Sequence, residues 1–283
     1  MPTEAADDAQ ATRVAGGSAE DSNAARIELA KRVAGEFAAR LGNRRVESGA
    51  PVRNRFVTSL EGELPGLASL LRGGGRGGQT RVKLFLSLLW VCTAKPYSAS
   101  FPSRAWAALL GLEEPDARGA RRIQEAIRDL DARKLISVQD RGGLPSVLTL
   151  NDESGSSGTY VPPSEAFNAL RRSGAPPEIL AQHAYFKIPS KLWTDGIIAR
   201  LRGPGIAMLL VLLCERRGDT TSEVWFSPDI ADQRFKLAPA TRTAGLQELR
   251  SLGLLETKVR PVSHDGTFIN FKRRRNAHTL LLK

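Results

Sequence analysis

The chain writes one order of elements twice. Residues 81–150 and 206–282 each read as an apolar helix, a short aromatic strand, a small helix, a longer helix, and two strands joined by a polar tip. The long helix of the first copy runs out through Asp129-Leu130-Asp131-Ala132-Arg133-Lys134-Leu135-Ile136, that of the second through Glu248-Leu249-Arg250-Ser251-Leu252-Gly253-Leu254-Leu255. The spacing from Phe101 to Leu112 equals that from Phe226 to Leu237. Whatever fold one copy adopts must therefore suit the other.

In the first copy Val82, Leu84, Phe85, Leu88, Leu89 and Cys92 mark a strongly apolar helix, and 97–101 a short strand. Ser103 is placed to cap a helix buried through Trp106, Leu109 and Leu110. Asp116 is placed to cap the long helix 116–134, whose Ile123, Ile127 and Leu130 share one face. Strands 135–139 and 145–150 flank the tip 140–143. The second domain has a strand lead-in at 185–189, then a helix carrying Leu192, Trp193, Ile197 and Ile198, and a core helix 204–216. A strand at 223–226 follows, then a helix opened by Ser227-Pro228, a long helix 239–252 ended by Gly253, and a hairpin with its tip at 263–266. This is the plan of a winged helix, a helix-turn-helix with a β-hairpin attached. The expected fold is α+β and mostly helical: two tandem winged helix-turn-helix domains with a helical N-terminal extension.

The remaining segments divide the chain. Residues 1–22 are acidic, rich in Ala, Gly and Ser and without aromatics, which predicts a disordered leader. Residues 23–79 read as a helical extension and hinge: an apolar stripe over 23–42, a second helical stretch over 53–72, and the run Gly73 to Gly78 as a flexible hinge. The glycine run fails as a phosphate loop because no Gly-Lys-Ser/Thr follows it. Arg76 and Arg81 beside it could touch a phosphate backbone. The first winged-helix domain spans 80–150 and the second 183–283. Between them 151–182 is a linker, low in complexity at 151–158, with a short helix near 164–172.

The 283 residues carry 41 Lys and Arg against 30 Asp and Glu, a net charge of +11. Such a balance suits a polyanion, because cations that contact phosphates release counterions. No apolar run reaches the roughly 18 residues a bilayer requires, and no secretory leader is evident. Cys92 and Cys214 sit at matching places in the two copies among apolar residues, which predicts core fillers in a reducing cytoplasm. The four tryptophans, Trp90, Trp106, Trp193 and Trp225, are read as core.

In a winged helix the longer helix enters the major groove, where base pairs present distinct donor and acceptor patterns. In the first copy its polar face holds Arg118, Arg121, Arg122, Gln124 and Arg128. In the second, Thr241, Arg242, Thr243 and Gln247 stand near the helix start. Arg141 in the first wing, and Lys272, Arg273, Arg274 and Arg275 in the second, are placed to follow the backbone or minor groove. Three histidines without neighbours at ligand spacing, and two cysteines, assemble neither a metal site nor a catalytic set. The expectation is a non-enzyme without cofactors or metal.

The stretches 81–90 (Arg-Val-Lys-Leu-Phe-Leu-Ser-Leu-Leu-Trp), 119–123 (Gly-Ala-Arg-Arg-Ile) and 192–196 (Leu-Trp-Thr-Asp-Gly) resemble a group of actinobacterial tandem winged-helix DNA-binding proteins. The two-domain plan is also similar to winged-helix transcriptional regulators and plasmid replication initiators. The resemblance covers roughly 70–282. Initiators of this plan often join the domains by a long helix, and the linker at 151–158 departs from that. The resemblance implies a double-stranded DNA-binding protein of the cytoplasm and nucleoid, with sequence-specific transcriptional regulation as the leading role. Plasmid or mobile-element replication initiation is the alternative, and a winged-helix protein-interaction scaffold a further one. A second copy of the chain, joined as a homodimer through the N-terminal helix, is the other candidate partner.

Overall fold

The computed structural model describes residues 4–41, 48–59, 62–73, 75–153, 158–261 and 274–282, with side chains from residue 20 onward save 75 and 76. It is α+β, helical for the larger part, with small antiparallel sheets. Among the described residues no helix is long and apolar enough to cross a membrane.

Helix α1 runs Glu4–Leu41 and so takes in most of the segment expected to be disordered. In its second half Ala30, Ala34 and Phe37 are buried against the chain's own body. The Phe37 ring meets Phe101 at 4.3 Å and Trp106 at 5.2 Å between centroids. The apolar stripe of this helix is thus packed, at these three positions, on the chain's own body.

The helical stretch expected over 53–72 is broken up. Ala50–Arg53 forms strand β1, Asn54–Phe56 a 3-10 turn, and only Gly66–Leu71 a helix, α2. Pro65 is one physical reason, since proline holds its predecessor out of an ongoing helix and here opens a new one. Phe56, Leu67 and Leu70 there are still buried, which is why spacing alone misled. The glycine run is likewise no hinge: helix α3, Gly75–Val91, begins within it. A Cβ on Gly78 would lie 3.1 Å from Leu71 O and 3.2 Å from Leu70 O, so glycine lets α3 cross close to α2.

The first copy continues with β2 (Ser98–Ala99), α4 (Ser103–Leu109), a wide π-helical turn (Pro115–Gly119), α5 (Ala120–Ala132), β3 (Ile136–Arg141) and β4 (Leu144–Leu150). The residue before α4 is Pro102, and no side chain caps either helix, so Ser103 and Asp116 do not act as N-caps. The sheet order is β2-β4-β3, antiparallel throughout.

The segment expected to be a linker folds onto the body. Asn151 bridges Thr159, and helices α6 (Pro163–Arg172) and α7 (Pro177–Gln182) follow. Strand β5 (Tyr185–Ile188) then pairs antiparallel with β1. Arg53 of β1 donates to Glu153 Oε2 at 2.5 Å and to Val161 O at 2.6 Å, with both side chains out of solvent. Removing one member of such a buried pair typically costs about 3–5 kcal/mol. The Ser-Gly stretch 154–157 lies outside the described residues.

The helix expected around Leu192 to Ile198 splits into α8 (Lys191–Thr194) and α9 (Ile197–Arg200) at Gly196, whose φ is +66°. Helix α10 (Gly203–Glu215) is the core helix of the second copy, followed by α11 (Pro228–Phe235), α12 (Pro239–Ser251), β6 (Leu255–Pro261) and β7 (Arg274–Leu280). Ser227 Oγ accepts from Ile230 N at 3.2 Å and so caps α11 as its sequence position suggests. The strand expected at 223–226 contracts to Val224, which exchanges backbone hydrogen bonds with His278 of β7 at 2.8 Å each. The second sheet thus has the same spatial order as the first.

One hydrophobic core runs through both copies. Cys92 and Cys214 lie in it unbridged, their thiols each pushed up to about 12 by burial. Trp90, Trp106 and Trp193 are buried as expected, but Trp225 is 49 % exposed.

Candidate nucleic-acid interface

The polar side of α5 is a helical stripe rather than a block. Arg121, Gln124, Glu125 and Arg128 recur at three- and four-residue steps and are exposed. Arg118, in the π turn that leads in, continues the line. The side chains of Arg118 and Arg121 are 71 % and 81 % exposed.

Both guanidiniums lean on neighbours of their own turn. Arg118 Nε donates to Glu114 Oε2 at 2.7 Å, which holds the Glu114 carboxyl below its usual range. Arg121 Nε donates to Glu125 Oε1 at 3.3 Å. Solvent-exposed pairs one helical turn apart are weak and screened by salt, so a phosphate can displace either carboxylate. Arg128 Nε reaches the Gln124 carbonyl at 3.4 Å, also on the surface.

Arg122 is not on this stripe. Consecutive helical residues are turned by about 100°, and Arg122 therefore points to α3, where its Nη2 donates to Thr80 Oγ1 at 2.9 Å. The same flank carries Asp129, which accepts from Arg81 at 2.5 Å, and Arg133, which donates to Ser69 Oγ. Arg81 also donates to the carbonyls of Leu70 and Arg72, so this arginine, read as a phosphate contact, ties α2 and α5 to α3.

Between α5 and the first hairpin lies a cleft of about 650 Å³, lined by Gln124, Arg128, Asp131, Asp140 and Leu144 among others. Its two carboxylates face the same space as Arg128. Positive charge is thus concentrated toward the start of α5. Arg141 is exposed beside the hairpin's tip, donating to Ser100 Oγ at 3.0 Å.

The second copy departs from expectation at Arg242. In register with Glu248 opposite Asp129, Arg242 takes the place of the fully buried Ile123. It is 8 % exposed, and its guanidinium donates to Leu237 O at 2.9 Å and lies 3.5 Å from Asp232. An inward arginine was illegible because its helix position looks polar until the turn before it is known. Thr241 is half-buried against the start of α10, beside Gly203 and Pro204. Thr243 and Gln247 remain exposed on the outer face.

In the second hairpin Arg274 is exposed and Arg275 is half-buried, its guanidinium carbon 4.2 Å from the Trp225 ring centroid. Lys272 and Arg273 lie outside the described residues, as does the tip 263–266. Lys258 and Arg260 of β6, which sequence reasoning passed over, stand near Trp225 and pair with Glu256 and Glu223. Strand alternation opposite Arg275 was the signal that could have found them.

Among the described residues no group of three or more His, Cys, Asp and Glu is placed to hold a metal ion. Comparison with family models, curated proteins and solved structures finds no match.

Proposed function

We propose that the chain is a non-enzymatic, double-stranded DNA-binding protein built from two winged-helix units, acting as a transcriptional regulator. Within each copy the helix–strand–helix–helix–hairpin order, with the last strand central in its sheet, fits that plan. The observation that carries the reading is the exposed line Arg118, Arg121, Gln124 and Arg128 on the longer helix of the first copy, in a chain of net charge +11. Guanidiniums on such a face suit guanine edges and phosphates. In the second copy Thr243, Gln247 and Arg274 are the groups placed for contact, one cation against the three on the long helix and lead-in of the first. The first copy is therefore assigned most of the affinity.

Selection of bound sequences from a random duplex library tests this. A single enriched motif supports a regulator. Enrichment of arrayed direct repeats favours the replication-initiator alternative, and the absence of enrichment removes sequence-specific recognition.

A further inference from the structure

We propose that the outer face of the second hairpin is a platform for an unpaired nucleobase of a single-stranded nucleic acid, stacked on Trp225. This goes beyond the duplex reading and does not rest on it.

The backbone pair between Val224 and His278 fixes the placement. Val224 is buried, so its neighbours Glu223 and Trp225 point to the opposite face. Opposite Trp225 comes Ala277, with Arg275 two residues away on the same face. The β6–β7 register adds Lys258, opposite Ala277, and Arg260, opposite Arg275. One face thus holds an indole and three cations. Its two carboxylates pair with two of these cations, Glu223 accepting from Arg260 Nη2 at 2.6 Å and Glu256 lying 3.2 Å from Lys258 Nζ; such exposed pairs are weak, so a phosphate can take the carboxylate's place.

Of the four tryptophans, Trp90, Trp106 and Trp193 are at most 1 % exposed, whereas Trp225 is 49 % exposed. Arg275 lies 4.2 Å from the centroid of this ring, a cation–π contact that orders the indole without enclosing it. An ordered, half-open aromatic with cations beside it offers a base both a stacking surface and phosphate partners. Bases within a duplex already stack on one another, so the group this platform suits is an unpaired one.

The test titrates the full-length chain with a thymidine oligomer of about 15 nucleotides at about 50 mM salt, following tryptophan emission and the anisotropy of labelled oligomer. Saturable quenching is expected, with affinity falling about 5- to 150-fold in Trp225→Ala and less in Trp225→Phe. Thermal unfolding by circular dichroism establishes that both variants are folded, as substitution of a half-exposed side chain should allow. A uridine oligomer run in parallel separates DNA from RNA as the source of the base, and binding of either supports the platform. Absence of quenching, or a folded Trp225→Ala that binds both oligomers like the parent, overturns the proposal. Duplex binding measured alongside keeps the two readings apart: oligomer binding without duplex binding removes only the duplex reading.

Discussion

Trp90 of the first copy and Trp193, in the lead-in of the second domain, lie face to face, 4.8 Å between ring centroids and 5° between planes. Each indole N–H donates to a serine near the other ring in sequence: Trp90 to Ser190, just before α8, at 3.2 Å and Trp193 to Ser87 of α3 at 2.9 Å. The two domains are therefore joined through their interiors. Urea unfolding followed by fluorescence and by circular dichroism should give one coincident transition. Trp193→Ala should lower stability by about 3–5 kcal/mol and shift both probes together. Two separated transitions would contradict the shared core.

Glycine at 245 sets the contact between α10 and α12. A Cβ there would overlap Pro204 O and lie 2.6 Å from Met208 Cγ. Three residues on, Glu248 accepts from Arg202 N at 2.7 Å and Gly205 N at 3.0 Å, holding the free end of α10. Gly245→Ala should cost about 1–3 kcal/mol through forced separation of the helices. An unchanged denaturation midpoint would show that α12 does not pack this closely.

Lys83 is fully buried, its ammonium 3.3 Å from Ala199 O, and burial brings its pKa down from 10.5 to about 7. Glu248 opposes that shift, while Arg122 and Arg26 add to it. Between about pH 7 and 10.5 the unfolded chain holds the proton that the folded chain has given up, so Lys83 makes stability rise with pH, by up to about 1.4 kcal/mol per unit. Above about pH 9 the sign reverses for Cys92 and Cys214, which keep their protons longer when folded. Stability should climb from pH 7 to 9 and then fall. Lys83→Met should exceed the parent most at pH 7, with the gap in urea midpoint narrowing by pH 9. A constant gap would refute the assignment.

Arg122 and Arg242 separate inward from outward arginines. Arg242→Ala removes a buried donor of hydrogen bonds and should cost about 1–3 kcal/mol of stability while leaving duplex affinity within about twofold. Arg122→Ala should likewise act on stability before affinity. Weaker binding by either, at full stability, would return these residues to the interface.

Much of this architecture was legible beforehand. Ile123 and Leu130 were placed in the core by spacing, Ser227-Pro228 opened a helix, and the matched order of the copies survived down to the Val224 bridge. What could not be read depends on partners far along the chain. Strand β1 exists because β5, beyond the whole first copy, pairs with it, Arg53 opposite Tyr185. The segment after residue 150 is anchored because Glu153 meets Arg53. On α5, Arg121 and Arg122 look equivalent in sequence and face different ways. Trp225 looks like core in sequence, yet its strand shrinks to one bridging residue.

The central claim is that the exposed arginines of the first long helix and its lead-in hold DNA phosphates. The direct test is the salt dependence of duplex affinity for the parent chain and for Arg118→Ala/Arg121→Ala/Arg128→Ala, read by fluorescence anisotropy. The slope of log K against log salt should shrink in magnitude by about 0.9 for each phosphate that the substitutions leave unneutralised, about 2.7 for three. An unchanged slope, or a parent chain that fails to bind duplex at about 50 mM salt, would contradict the account.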